Sequence, residues 1–177
     1  MLGRCTTPMQ ASTLQALEDS YTKFPGMRAE GAPEAEIDAA AARLSVPFPA
    51  DYKEFLLRYG GGHAGSLSVA GLHRWEFAGR SDWSVIELTE QHRARHSPVG
   101  ERWVIFSDDG FGNPIGFDEC GRVWISDYNS CEFVCLESSF EDWVRRWALG
   151  IEPHRRGYVA QEKWPDETLQ RLRRGPA

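Results

Sequence analysis

Apolar side chains recur along this chain with two different spacings, and the change from one to the other falls near Trp103. Before it the spacing is helical. Leu14, Leu17 and Tyr21 mark one face of a short helix over residues 12–24, which Pro25-Gly26 ends. Ile37, Ala41 and Leu44 form the stripe of a second helix that starts near Pro33, a residue suited to the first helical position. Val46-Pro47-Phe48-Pro49 interrupts the pattern, because a residue that precedes proline avoids helical dihedrals. Pro49 opens a third helix with Asp51 in its first turn, where a carboxylate favours the helix dipole. Tyr52, Phe55, Leu56 and Tyr59 make its apolar face, and Gly60-Gly61-Gly62 stops it. The predicted spans of the second and third helices are 34–45 and 50–59. A strand is predicted over 66–72. Residues 73–82 carry no clear period, with a strand at Trp75-Glu76-Phe77 as the nearest fit. Ser84 and Glu87 form a capping box for a helix to about His96, with Val85, Leu88 and His92 inward.

From Trp103 the pattern alternates. Four strands are predicted at 103–106, 115–118, 123–128 and 132–136, joined by turns at 108–113, 119–121 and 129–130. Connections this short make the stretch 103–136 an antiparallel meander. Ser138 and Glu141 then read as a capping box for a helix over 139–149 that Gly150 terminates. The remaining tail is basic and carries a short helix from Asp166 to Arg173. The predicted fold class is α+β: a single domain with a twisted, mainly antiparallel sheet flanked by helices. Phe55, Leu56, Phe106, Ile115, Phe117 and Phe140 fall on the apolar faces and are the predicted core.

Composition agrees with a folded domain, since 41% of residues are hydrophobic and 12% aromatic. No apolar run of about 18 residues occurs, so no membrane span is predicted. Met1 to Gln10 lacks the apolar stretch of a signal peptide, which predicts a cytoplasmic address. Cys5, Cys120, Cys131 and Cys135 contain no Cys-x-x-Cys pair and are expected to be reduced thiols. Charge adds more. Residues 82–144 hold 13 acidic and 4 basic side chains, whereas residues 145–177 hold 4 acidic and 8 basic. An acidic block of this size opposes phosphate binding there and suits a basic partner. A solvated acidic surface accounts for the same composition equally well.

Several groupings could carry chemistry. Asp108, Asp109 and Asn113 share a glycine-bearing loop, but without the spacing or closing glutamate of a calcium loop they read as turn residues. His92 and His96 share a helical face with no third zinc ligand in view. Asp118, Glu119, Asp127 and Glu132 could pair as general acid and base, yet no nucleophile elbow, phosphate loop or dinucleotide fingerprint accompanies them. No metal and no cofactor is expected, and a hydrolase is the weaker reading. Trp75 and Trp83 are residues of the type that anchors interfaces, although core packing explains them too.

Three segments together resemble a known superfamily. The first is Ile37-x6-Leu44-x-Val46-Pro47-Phe48-Pro49-x-Asp51-Tyr52-x2-Phe55-Leu56 followed by Gly61-Gly62. The second is Ile105-Phe106-x-Asp108-Asp109-Gly110-x-Gly112-Asn113-x-Ile115-x-Phe117-Asp118-x2-Gly121-x-Val123, and the third is Ser139-Phe140-Glu141-Asp142-Trp143. Their order is similar to the SUKH superfamily, which includes fungal cell-wall regulators and bacterial immunity proteins. The resemblance implies a SUKH-like domain over 33–150, preceded by a helix and linker at 1–32 and followed by a basic extension at 151–177. It also implies action by protein binding: an immunity protein that neutralises a toxin, with nucleases among the toxins of this kind, or else a regulatory scaffold. A nuclease is basic, so the expected binding surface is acidic and lies on the sheet side. Asp82, Asp108, Asp109, Glu119 and Asp127 are its candidates, with Trp75 and Trp83 as anchors. Neither nucleic acid nor membrane is an expected partner.

Overall fold

A computed structural model describes residues 7–79, 83–94 and 102–174. Its elements follow the two spacings. Helix α1 spans Ala11–Lys23, α2 Glu34–Leu44 and α3 Ala50–Tyr59. Pro33 and Pro49 occupy the N-caps with extended backbones, one position before the first helical residue. At the other end of α3, Gly60 caps the helix with φ +63°. A side chain there would meet the Glu30 carbonyl oxygen at 1.9 Å, so the position needs glycine for both conformation and space.

Two short strands, β1 (Gly62–Ala64) and β2 (Leu67–Val69), pair antiparallel. Residues 73–79 make a turn rather than a strand. Ala78 N–H closes it on the Trp75 carbonyl at 3.1 Å, and Trp75 itself turns inward. Ser84 Oγ accepts from Glu87 N–H at 3.2 Å and starts α4 (Val85–Ala94). Val85 and Thr89 are the buried side chains of α4, Leu88 packs partly buried against the core, and His92 is only half-buried.

The main sheet runs β3 (Trp103–Asp108), β4 (Pro114–Asp118), β5 (Val123–Asp127), β6 (Glu132–Glu137) and β7 (Ala160–Lys163), each antiparallel to the next. The predicted meander is therefore present and is extended by β7 from the tail. Helix α4 closes the outer edge of β3. Thr89 Oγ1 accepts from Ile105 N–H at 2.9 Å and donates to the Ile105 carbonyl at 3.3 Å, which satisfies an edge open to foreign strands.

Alternation along the strands gives the sheet two apolar faces. The first carries Val104, Phe106, Ile115, Phe117, Val123, Val134 and Leu136 and packs against α1–α3 and Phe140. Tyr52, Phe55, Phe106, Phe117 and Phe140 form one ring cluster there, with centroids 5.0–6.5 Å apart. The second face carries Trp103, Ile105, Trp124, Phe133 and Cys135. Trp164 covers it, together with Leu88 of α4 and Leu169 of helix α6 (Asp166–Arg174). All six predicted core residues are buried.

The helix after β6 starts one residue later than its predicted cap. Ser139, not Ser138, accepts from Asp142 N–H at 3.1 Å. Glu141 turns inward instead, where it accepts from Gln10 N–H at 2.9 Å and from the Thr13 hydroxyl at 2.5 Å. Helix α5 (Phe140–Trp143) then widens into a π segment over Val144–Ala148, closed by Leu149 N–H on the Val144 carbonyl.

Candidate functional site: an apolar groove with a carboxylate rim

Helices α3 and α5 cover only part of the first sheet face. Beyond them, at the end where β3 turns into β4 and β5 into β6, lies a groove of about 550 Å³. Its floor is the sheet itself: Ile115 pairs with Ile125, Ile125 with Val134, and Leu136 and Leu67 extend the apolar surface. One wall is the end of the π segment and the chain that follows it, with Trp147, His154 and Tyr158. The Trp147 and His154 rings meet nearly edge-on at 4.4 Å.

A buried carboxylate fixes that wall. Glu137 ends β6 with no exposed surface, and it accepts from Arg146 Nη1 at 2.9 Å, Arg155 Nε at 2.8 Å and Trp147 Nε1 at 3.3 Å. Glu152 accepts from Arg145 and pairs with Arg146 at 3.0 Å. Buried charge persists only when paired in this way, and the pairing binds the wall to the sheet.

The rim belongs to two loops. Gly110 and Gly112 take φ of +79° and +91° in the β3–β4 loop, conformations that glycine reaches without strain. Asp109 Oδ1 accepts from Phe111 N–H at 2.9 Å and Asn113 N–H at 3.1 Å, and its Oδ2 accepts from Asn113 Nδ2 at 2.7 Å. Asn113 Oδ1 in turn accepts from Tyr128 N–H at 3.0 Å, which joins the β5–β6 loop to the first. Asp127 accepts from Asn129 N–H at 2.8 Å and from the Ser130 hydroxyl at 2.9 Å. Partial burial works to raise the Asp127 pKa, but these hydrogen bonds outweigh it and hold the group below its ordinary value. Asp127 thus stays ionised.

The candidate residues divide. Asp108, Asp109 and Asp127 meet at this end of the sheet, with Asp109 and Asp127 lining the groove. Glu119 is exposed at the opposite end, in the β4–β5 loop beside Arg122 and Arg102. Asp82 lies outside the described residues. Trp75 is 3% exposed and donates from Nε1 to His63 Nδ1 at 3.0 Å, with half-buried Trp83 packed nearby. It borders a separate cavity of about 520 Å³ whose lining mixes Arg28 and Arg74 with Glu18, Glu30 and Glu76. Asp118 is occupied by structure: it accepts from the N–H groups of Cys120 and Arg122, from Arg122 Nε and from Trp124 Nε1, all within 3.0 Å. Glu132 accepts from Gln161 Nε2. His96 lies outside the described residues. Among the described residues no three His, Cys, Asp or Glu side chains converge on a metal position, and no helix is long and apolar enough to cross a membrane. Cys120, Cys131 and Cys135 are free thiols, and burial pushes Cys135 up to about 11.

Compared with known families, residues 31–146 match the SMI1/KNR4 family (SUKH-1) model. The chain belongs to the SMI1/KNR4 family. Comparison with curated proteins gave no match. The SUKH-1 family supports, at family level, a toxin-immunity or regulatory role exercised by protein binding. The match takes in the floor of the groove and both rim loops, and it ends at residue 146. Trp147, His154 and Tyr158, the aromatic wall, come from the chain beyond it.

The wall and floor escaped sequence reading. Leu67, Ile115, Ile125 and Trp147 are far apart in the chain and each reads as ordinary core. The one available signal was Phe111, an apolar side chain in a loop otherwise made of Asp, Gly and Asn.

Proposed function

We propose that the chain is an immunity protein: a cytoplasmic, non-catalytic domain that binds a cognate toxin and blocks it. Membership of the SUKH-1 family carries this reading. Two further features support it. The net −9 of residues 82–144 suits a basic partner such as a nuclease domain, and carboxylates on a binding face speed its encounter. The groove supplies apolar surface of the kind that holds an interface together once charges have steered it.

The test is protection. The protein encoded beside this chain is expressed in a sensitive bacterium with and without it. Growth arrest by the neighbour alone, relieved by this chain, is expected. A neighbour that arrests growth whether or not this chain is present would sink the proposal. A neighbour with no toxicity would favour the regulatory reading of the same family.

A further inference from the structure

Phe111 is 92% exposed at the tip of a loop whose backbone Asp109 holds in place. It is not isolated. Of the eight large apolar side chains exposed among the described residues, two line the groove itself, Phe111 and Tyr158. Scattered exposed apolar residues need no explanation, but two exposed rings that border a concave apolar floor mark a surface that another molecule covers.

Charge narrows the occupant. Asp109 and Asp127 line the groove, and among its described lining residues there is no Lys or Arg. Arg145, Arg146 and Arg155 of the wall are turned back onto Glu137 and Glu152. An anionic segment would therefore meet two carboxylates without a compensating cation, whereas a Lys or Arg side chain would meet both. A volume of about 550 Å³ lies within the range of clefts, on the order of 300–1,000 Å³, that enclose several groups at once. It has room for a few side chains of a chain segment.

We infer that the groove docks a segment of the partner protein that carries a Lys or Arg side chain next to an aromatic or large aliphatic one. The cation lies between Asp109 and Asp127. The apolar side chain fills the floor over Ile125 and Val134, between Phe111 and Tyr158. The rim loops are fixed before binding by their own hydrogen bonds, so little ordering cost remains. Because Tyr158 and Trp147 lie beyond the SUKH-1 match, this wall sets which apolar side chain is accepted. The inference rests on the protein-binding reading above and goes further by naming the surface and the chemistry it selects.

The probe is a capped hexapeptide with two lysines and two phenylalanines among glycines, set against a twin with glutamate in place of lysine. Each is titrated into the full 177-residue chain labelled with ¹⁵N. The lysine peptide should shift the backbone amides of Phe111 and Asp127 and the indole N–H of Trp147, and the glutamate twin should not. Asp109→Asn with Asp127→Asn keeps an acceptor oxygen for each loop, and should weaken the lysine peptide about tenfold. Phe111→Ser alters a side chain that touches solvent, so it serves as the second variant, with a similar loss. Equal binding of both peptides, shifts confined to another surface, or no shift with either would overturn the inference. Its failure is separable from that of the immunity reading. Protection that survives Asp109→Asn, Phe111→Ser and Asp127→Asn together moves the interface elsewhere and keeps the function. Absence of protection by the unaltered chain fails the function itself.

Discussion

Asp51 Oδ2 accepts a hydrogen bond from the backbone N–H of Glu141 at 2.8 Å, across 90 residues of sequence. Its other oxygen accepts from Tyr52 N–H at 2.9 Å. One buried carboxylate therefore serves the first turns of both α3 and α5, two donors that helix geometry leaves without intrahelical partners. Asp51 belongs to the first quoted segment of the family resemblance and Glu141 to the third. Their joining explains physically why those segments go together.

Burial raises the Asp51 pKa from 3.8 to about 6, with the hydrogen bonds from Glu141 and Tyr52 opposing the shift. The folded pKa lies above the unfolded one, so this group's stabilising contribution is full below about pH 4. It is lost as pH rises through about 6, with a total of about 3 kcal/mol. Asp51→Asn removes the titration while it retains one acceptor. Urea melts of both proteins at pH 4 and pH 7 should show the variant gaining on the parent as pH rises. A stability difference constant over that range would contradict the assignment.

Phe55 is fully buried, with its ring against Tyr52, Tyr59 and Phe140. Phe55→Ala should cost roughly 3–5 kcal/mol, the loss of transfer energy plus the cavity left behind. Denaturant melts give the value directly, and a cost under about 1 kcal/mol would show that the site collapses around the deletion.

Helices α2 and α3 were legible because proline starts, glycine stops and apolar stripes agree there with the tertiary structure. The meander was legible for the same reason, although not its bulge between Ile105 and Ser107, which leaves no mark in an alternating pattern. Strand β7 was not legible. Ala160-Gln161-Glu162-Lys163 is an exposed edge strand that pairs through its backbone, so it carries no apolar alternation. The α5 cap was misplaced by one residue because Glu141, a sound capping-box glutamate by spacing, is drawn to Gln10 and Thr13 at the far end of the chain. Of the candidate acidic residues, a shared charge sign could not reveal that Glu119 lies a full strand length, along β4 and β5, from Asp109 and Asp127.

Trp164 gives the tail a structural part. It packs on Phe133 and Tyr128, and with Leu169 it covers the sheet's second face. Trp164→Ala should cost about 3–5 kcal/mol and expose Trp103 and Trp124 to quenchers of tryptophan fluorescence. Unchanged stability and quenching would mean that Trp164 does not cover the second face of the sheet.

Glu137 holds the groove's wall. Glu137→Ala leaves Trp147 Nε1 without its acceptor and takes one carboxylate from Arg146 and Arg155, at an expected cost of about 3 kcal/mol, the low end for a broken buried pair because Arg146 keeps Asp142 and Glu152 and Arg155 is half-exposed and rehydrates. The Trp147 indole N–H resonance should broaden or move. A sharp, unmoved resonance in a folded variant would show that the wall is held by other contacts.

Stopped-flow association with the protein encoded beside this SUKH-1 chain, at low and high salt, tests the proposed binding of a basic partner through the groove end of the sheet. The association rate should fall steeply as salt rises, and Asp109→Asn with Asp127→Asn should give a slower rate with a weaker salt dependence. A rate independent of salt and untouched by those substitutions would contradict it.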